Sequence, residues 1–167
     1  MNWSSTRPRP GDKWHVDEVQ LKISGRRYWR WRAVDQDGMV LGILVQQRRN
    51  RTTADRFLQQ VVDGCSARPR VVVTDKLTSY PPAIRRVLPG VEHRRHRRHK
   101  GLNNRAEHAH RPTRRRERAM QRFTSPAQAQ HFLWCFEAIR GHFCPRRHRL
   151  PAARSRAGLA ARSDVWR

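Results

Sequence analysis

From residue 14 the chain alternates apolar and polar positions with a period of two, which predicts a strand with one buried face. After a turn at Gly25 and Arg26, a second strand is predicted in RYWRWRAVD (27–35). DQDG (35–38) has the composition of a hairpin turn and leads into a third strand, MVLGILVQQ (39–47). The pattern therefore predicts three consecutive antiparallel strands.

The pattern then changes to a helical period over residues 52–65, with Thr52 as the expected cap. The next segment, VVVTD (71–75), starts with an apolar, β-branched run that is typical of a strand buried on both faces. A strand reached through a helical crossover lies parallel to the strand that it joins. We therefore expect the fourth strand to pair in parallel with the first.

The remaining segments are predicted to be mostly helical. A short helix begins at Pro81, and residues 91–99 form either a strand or a basic loop. Residues 102–120 begin as a helix that an internal proline should kink or split. A last helix starts with Ser125 as its cap and Pro126 at its first position. This order of elements is that of a ribonuclease H-like α/β domain, in which three antiparallel strands and then parallel strands form a mixed sheet with flanking helices.

Two carboxylates fall where such a sheet would bring them together. Asp75 ends the fourth strand, and ligands of open sheets that carry helices bind beyond the carboxyl ends of the strands. Asp17 shares the apolar face of the first strand, where a carboxylate costs free energy unless it is paired or holds a cation. Glu18 lies on the opposite, polar face and is expected to be solvated.

A third acidic residue is expected from a helix that packs across these two. Between residues 80 and 125 the chain offers only Glu92, Glu107 and Glu117. Glu107 is the best placed, because it lies in the first turns of its helix and shares a face with the basic residues that follow it.

The chain is strongly basic. It has 37 Lys and Arg residues against 13 Asp and Glu residues, a formal net charge of +24, so a polyanion is the expected partner and nucleic acid the first choice. Charge alone also fits a nucleic-acid-binding protein without catalysis, which is a separate hypothesis. No apolar run is long enough to cross a membrane, no signal-peptide pattern is seen, and the three cysteines are irregularly spaced. We therefore expect a cytosolic protein that has no membrane partner.

Two sets of residues invite a functional interpretation that their surroundings do not favour. His93, His96 and His99 recur every three residues in a basic segment, where we expect them to be solvated or to face phosphate. Trp29 and Trp31 share one face of the second strand and are expected to pack in the core rather than to stack on bases. Neither set is assigned to the chemistry of the site.

Four segments carry a resemblance to a known family. They are WHVDE (14–18), YWRWRAVDQDG (28–38), RVVVTDKLTSY (70–80) and GLNNRAEHAHRPTRRRERAMQRFTSPAQAQHF (101–132). They look like the catalytic domain of bacterial transposases of the insertion-sequence-six family, a branch of the DDE transposase and retroviral integrase superfamily. The last segment is the most specific, because a long ordered match is hard to reach by chance.

The resemblance implies that Asp17, Asp75 and Glu107 form the catalytic Asp-Asp-Glu triad and are its metal ligands. Their oxygens would hold Mg²⁺, or Mn²⁺ as a substitute, as two ions suited to in-line attack on a phosphodiester. The implied reaction nicks the 3′ ends of an insertion sequence and transfers them into target DNA, within a homodimer or a larger assembly. The residues expected to contact DNA phosphates are Lys76, Arg111, Arg114, Arg115 and Arg116.

The resemblance covers most of residues 8–150. We expect a linker remnant at 1–13, the catalytic domain at 14–145 and a basic tail at 146–167, in a protein of the bacterial cytoplasm that associates with the nucleoid. The family normally begins with a helix-turn-helix that reads the ends of the element. This chain starts at the linker, so we expect it to lack that region. The alternative is an inactive, truncated transposase that retains only non-specific DNA binding.

Overall fold

In a computed structural model, residues 10–65, 67–95 and 123–143 are described. The strands are β1 (Lys13–Ile23), β2 (Arg26–Asp35), β3 (Val40–Gln46), β4 (Val71–Thr74) and β5 (Glu92–Arg95). The helices are α1 (Arg51–Gly64), α2 (Tyr80–Val87) and α3 (Pro126–Phe143). Within the segment 91–99, for which a strand or a basic loop was predicted, residues 92–95 form the strand β5, and residues 96–99 lie outside the described residues. Over these residues no helix is both long enough and apolar enough to cross a membrane.

The strands form one mixed sheet in the order β3-β2-β1-β4-β5. β1 pairs antiparallel with β2, and β2 pairs antiparallel with β3. β4 pairs in parallel with both β1 and β5. The antiparallel start of the sheet and the parallel fourth strand are therefore confirmed, and so is the predicted mixed α/β class.

The turn between β2 and β3 is built by Asp35 and Gly38. Gly38 has a φ of 82°, which a residue without a Cβ adopts at little cost. The Asp35 carboxylate accepts hydrogen bonds from the backbone N–H groups of Asp37 at 2.9 Å and Met39 at 2.8 Å. Asp35 is thus a turn residue, as its place in DQDG predicts.

One face of the sheet is covered by α1 and α2. The aromatic residues at the centre of this core are Trp14, Trp31, Phe57 and Tyr80. The ring of Trp31 lies 6.1 Å from that of Phe57 and 5.8 Å from that of Tyr80 between centroids, so Trp31 packs in the core as predicted. Tyr80 is the first residue of α2, and its position in this core brings the start of α2 against β1.

The helix α1 is capped by Asn50 and not, as predicted, by Thr52. Asn50 has an extended backbone, with φ −133° and ψ 177°, and its side-chain oxygen accepts a hydrogen bond from the N–H of Thr53 at 3.0 Å. Asparagine caps a helix at least as well as threonine, so the first residue with suitable backbone geometry takes the role. The cap also fixes the short loop between β3 and α1, which carries Arg49.

The other face of the sheet is covered by α3. Its predicted cap is confirmed, because Ser125 Oγ accepts a hydrogen bond from the N–H of Gln128 at 3.1 Å. The core on this face consists of Leu21, Ile23, Ile43, Val45, Phe123, Ala129 and Leu133. Also on this face, Arg32 of β2 and Glu137 of α3 form a buried ion pair.

Helices on both faces change the character of β1 along its length. Residues 14–18 are all buried, whereas further along Gln20 and Lys22 are exposed and Leu21 and Ile23 are buried. The simple alternation therefore holds only in the second half of the strand. The first half, which carries the two acidic residues Asp17 and Glu18, is enclosed from both sides.

Candidate active site

The register of two parallel strands brings Asp17 and Asp75 together. β1 and β4 pair in parallel, and their last paired residues are Val16 and Thr74. Asp17 and Asp75 are the next residues on the two strands, at the carboxyl end of β4. The predicted neighbourhood of these two carboxylates is thus observed, as the crossover rule requires.

A third carboxylate joins them, and it is Glu18. Asp17, Glu18 and Asp75 each offer one oxygen, and these oxygens lie within 4.8 Å of one another. Asp17 and Glu18 are 8% and 7% exposed, and Asp75 is half-buried at the rim. The expectation that Glu18 is solvated is wrong, because α2 covers the face of β1 on which it lies.

Adjacent residues on a strand point to opposite faces, so the meeting of Asp17 and Glu18 needs a local cause. Asp17 Oδ1 accepts a hydrogen bond from the backbone N–H of Glu18 at 2.9 Å. This contact turns the Asp17 carboxylate along the strand toward Glu18. The two acidic groups can then face the same point beyond the end of β4.

Glu18 is held by two donors. The hydroxyl of Tyr80 donates to Glu18 Oε2 at 2.5 Å, and Arg49 Nε donates to Glu18 Oε1 at 2.8 Å. Burial, and after it the negative charge of Asp75, raises the pKa of Glu18 to about 7, although both donors act in the opposite direction. Burial and the neighbouring Glu18 raise the pKa of Tyr80 well above its usual value, so Tyr80 remains a donor.

Asp75 is oriented by the turn that follows β4. Its Oδ1 accepts a hydrogen bond from the N–H of Leu77 at 3.0 Å, and its Oδ2 lies 3.5 Å from Arg49 Nη2. Lys76, the next residue along the chain, is exposed at the same edge of the sheet. Asp75 therefore has one oxygen fixed by the backbone and one that faces the acidic cluster.

This donor set fits a divalent cation of the Mg²⁺ or Mn²⁺ type. Carboxylate oxygens are the hard ligands that these ions prefer, and three of them meet here from two strands. Burial, and then the charge of Asp75, raises the pKa of Glu18 more than Tyr80 and Arg49 lower it, so the charged form of this carboxylate is only partly compensated. A cation among the three carboxylates would favour their charged forms.

Of the three candidates for a further acidic ligand, the structure places one. Glu92 lies at the start of β5, opposite Val71 at the start of β4, and so at the end of the strand remote from Asp75. Its carboxylate is bound by Arg94 at 2.6 Å on the surface. Glu92 therefore takes no part in the site. Glu107 and Glu117 lie outside the described residues, as do Arg111, Arg114, Arg115 and Arg116, and their roles stay predictions.

His93 is half-buried in β5, and its Nε2 lies 2.9 Å from Thr74 Oγ1. Burial, with the positive charges of Arg95 and Arg85, lowers the pKa of His93, so the neutral form is favoured. We expected His93 to be solvated or to face phosphate, but its side chain instead contacts Thr74 on the neighbouring strand. His96 and His99 lie outside the described residues.

The sequence interpretation missed Glu18, Arg49 and Tyr80. A signal for Glu18 was present, because Trp14 and Val16 have the same parity along β1 and are among its most apolar residues. That parity predicts a buried environment for Glu18 as well. No comparable local signal marks Arg49, which meets Glu18 from 31 residues away along the chain.

Comparison with known proteins points to one family. A family profile described as a DDE domain matches residues 11–145. A transposase for the insertion sequence-like element IS431mec of Staphylococcus aureus is 26% identical over 139 residues, which cover 82% of this chain and 62% of that protein. The uncharacterized protein pYV0051 of Yersinia pseudotuberculosis is 31% identical over 77 residues, which cover 45% of this chain and 72% of that protein. The chain thus spans less than two thirds of the length of that transposase.

Solved structures show the same fold. The catalytic core domain of BIV integrase matches with a TM-score of 0.53 at 12% identity, over 94% of this chain and 99% of that one. A chain of the simian T-cell lymphotropic virus intasome matches with a TM-score of 0.54 at 15% identity, over 92% of this chain and 47% of that one. The predicted ribonuclease H-like fold is therefore confirmed.

Proposed function

We propose that this chain, which belongs to the DDE domain family of insertion-sequence transposases, cuts and joins DNA phosphodiester bonds in a metal-dependent reaction. The observation that carries the proposal is the meeting of Asp17 and Asp75 at the carboxyl edge of the sheet, with Glu18 beside them. The family pattern supplies the third acidic residue of the triad, Glu107. Three carboxylates at the edge of the sheet can hold divalent cations, and such cations suit a reaction on an anionic substrate such as a phosphodiester.

In this proposal Asp17 and Asp75 hold divalent metal ions and Glu107 completes their coordination. Bound ions of this kind lower the pKa of an attacking water or 3′-hydroxyl and stabilise the leaving oxygen during in-line displacement. The chain's own part is to fix the ligands. The Glu18 N–H orients Asp17, and the Leu77 N–H orients Asp75. Two ions are the number that this chemistry usually employs, and we adopt that number for this site.

The charge of the chain supports DNA as the substrate. A formal net charge of +24 favours phosphate contacts, each of which releases condensed counterions. Lys76 lies next to Asp75 on the exposed rim. We assign phosphate binding to Lys76 and, with it, to Arg111, Arg114, Arg115 and Arg116. Transposon ends and target DNA are the proposed partners, within a homodimer or larger assembly on bacterial DNA.

The proposal is tested by nicking of supercoiled plasmid DNA by the full chain in Mg²⁺ or Mn²⁺. Asp75→Asn should lower the rate by roughly 100-fold or more, since even loss of a group behind a metal ligand can cost that much. Asp63→Asn is the matched control, because Asp63 is exposed and its carboxylate contacts only Gln59 among the described residues. It should nick at the wild-type rate.

Equal nicking by the wild type and Asp75→Asn would contradict the proposal. DNA binding without any metal-dependent nicking would favour the alternative, a fragment that binds DNA without catalysis. In that case the affinity should fall steeply with salt and show no preference for inverted repeats over random DNA.

A further inference from the structure

The side chain of Arg49 lies within the acidic cluster. Its Nε and Nη2 atoms both contact Glu18 Oε1, with Nε at 2.8 Å, and Nη2 lies 3.5 Å from Asp75 Oδ2. The guanidinium therefore links two of the three carboxylates. It lies beside Asp75 Oδ2, the carboxylate oxygen that faces the acidic cluster.

Arg49 is held in this position by groups other than Asp75. Its guanidinium carbon lies 4.6 Å from the centroid of the Trp29 ring, which is a cation–π contact. Glu18 is fully buried at its side chain and is itself fixed by Tyr80. The Asn50 cap fixes the backbone next to Arg49. Of the contacts that Arg49 makes with carboxylate oxygens, the one with Asp75 is the longest, and so the easiest to exchange for another.

The two contacts of Arg49 also differ in exposure. The side chains of Arg49 and Asp75 are 35% and 31% exposed, whereas that of Glu18 is 0% exposed. Water and ions can reach the Arg49–Asp75 contact from the rim. A guanidinium stays charged at all physiological pH values, so its positive charge can leave Asp75 only by movement of the side chain.

We propose that Arg49 is an internal counter-ion of the acidic cluster, which competes with the divalent cation for Asp75. The inference rests on the proposed function for its cation. Without metal, Arg49 reduces the repulsion between Glu18 and Asp75. When a cation binds Asp75, the Arg49–Asp75 contact is exchanged for it, while Glu18 and Trp29 keep the guanidinium beside the site. Arg49 thus acts on the metal only through Asp75, and its removal should strengthen metal binding.

The test is calorimetric titration of the full chain with Mn²⁺ in the absence of DNA. Arg49→Gln should bind Mn²⁺ about two- to fivefold more tightly than the wild type, which is the range expected when a partly exposed ion pair no longer competes. Arg51→Gln is the matched control. Arg51 is a neighbouring arginine with the same charge, its ion-pair partner is Asp55 at 4.0 Å, and it should leave the Mn²⁺ affinity unchanged.

Arg49→Lys is the second variant, in case Arg49→Gln does not fold. An ammonium has no planar fork to link two carboxylates, so this variant should also bind Mn²⁺ more tightly than the wild type, with a smaller gain. Circular dichroism establishes which variants are folded. An affinity no higher than that of the wild type in the folded Arg49 variants would overturn the competition.

A metal-free measurement separates the two proposals. With chelator present, Arg49→Gln is introduced into the wild type and into the Asp75→Asn variant. The melting temperature should fall further in the wild-type background, because only there do the charges of Glu18 and Asp75 repel each other once Arg49 is gone. Equal losses in the two backgrounds would overturn the counter-ion role. If this coupling is found but the wild type binds no Mn²⁺, the proposed function and the competition both fail, while the counter-ion role stands.

Discussion

Two contacts between an arginine and a carboxylate, one on each face of the sheet, differ in their access to water. Arg32 and Glu137, under α3, are joined by two contacts of 3.2 Å, and their side chains are 2% and 4% exposed. Arg49, on the opposite face, is 35% exposed and is shared between Glu18 and Asp75. We call Arg32–Glu137 the closed pair, because water does not reach it, and Arg49 with Glu18 and Asp75 the open pair, because water reaches it from the rim.

This difference separates a structural role from a functional one. Removal of one partner from a buried pair leaves the other charge uncompensated in a medium of low polarity, which is strongly destabilising. A pair at the rim gains little from its own attraction, so another cation or anion can take its place. The closed pair therefore holds α3 on the sheet, and the open pair belongs to the site.

The largest expected effect concerns the closed pair. Glu137→Gln leaves the buried Arg32 charge with one counter-charge fewer and should lower the free energy of unfolding by about 3–5 kcal/mol. Urea denaturation measures the change. Glu92→Gln, which removes one carboxylate from the exposed pair with Arg94, is the control and should leave the midpoint unchanged. A similar small loss in both variants would show that exposure does not distinguish the two kinds of pair.

A smaller effect is expected behind the open pair. Tyr80→Phe keeps the ring in the core but removes the hydroxyl that donates to Glu18, and should lower the free energy of unfolding by about 1–3 kcal/mol. Tyr28→Phe is the matched control, because Tyr28 is a half-buried ring of β2 at the edge of the α3-side core. If Tyr80→Phe is as stable as Tyr28→Phe, the Tyr80–Glu18 hydrogen bond contributes nothing to stability, and Tyr80 does not fix the carboxylate that binds Arg49.

Much of the fold follows from local pattern. The period of two predicts β1, the turns at 25–26 and 35–38 delimit β2 and β3, and the apolar run at 71–74 with its helical crossover predicts a parallel β4. The meeting of Asp17 and Asp75 then follows from strand register alone. Ser125 caps α3 because serine before proline and an apolar run is a local signal.

Other features depend on contacts that no local pattern contains. The hydrogen bond that holds Glu18 comes from Tyr80, 62 residues further along the chain, and the position of Arg49 comes from Glu18 and Asp75, 31 and 26 residues away. β5 has the polar sequence EHRR and becomes a strand by pairing with β4. These features are set by the packing of helices on the sheet, which alternation along one strand does not report.

The central claim is that Asp17 and Asp75 act as one metal-dependent unit, and a double-mutant comparison of plasmid nicking tests it most directly. Asp17→Asn, Asp75→Asn and the double variant are compared with the wild type in Mn²⁺. Residues that act as a unit are not additive, so the double variant should be no slower than the slower single variant. Losses that multiply in the double variant, or a wild-type rate in Asp17→Asn, would contradict the claim.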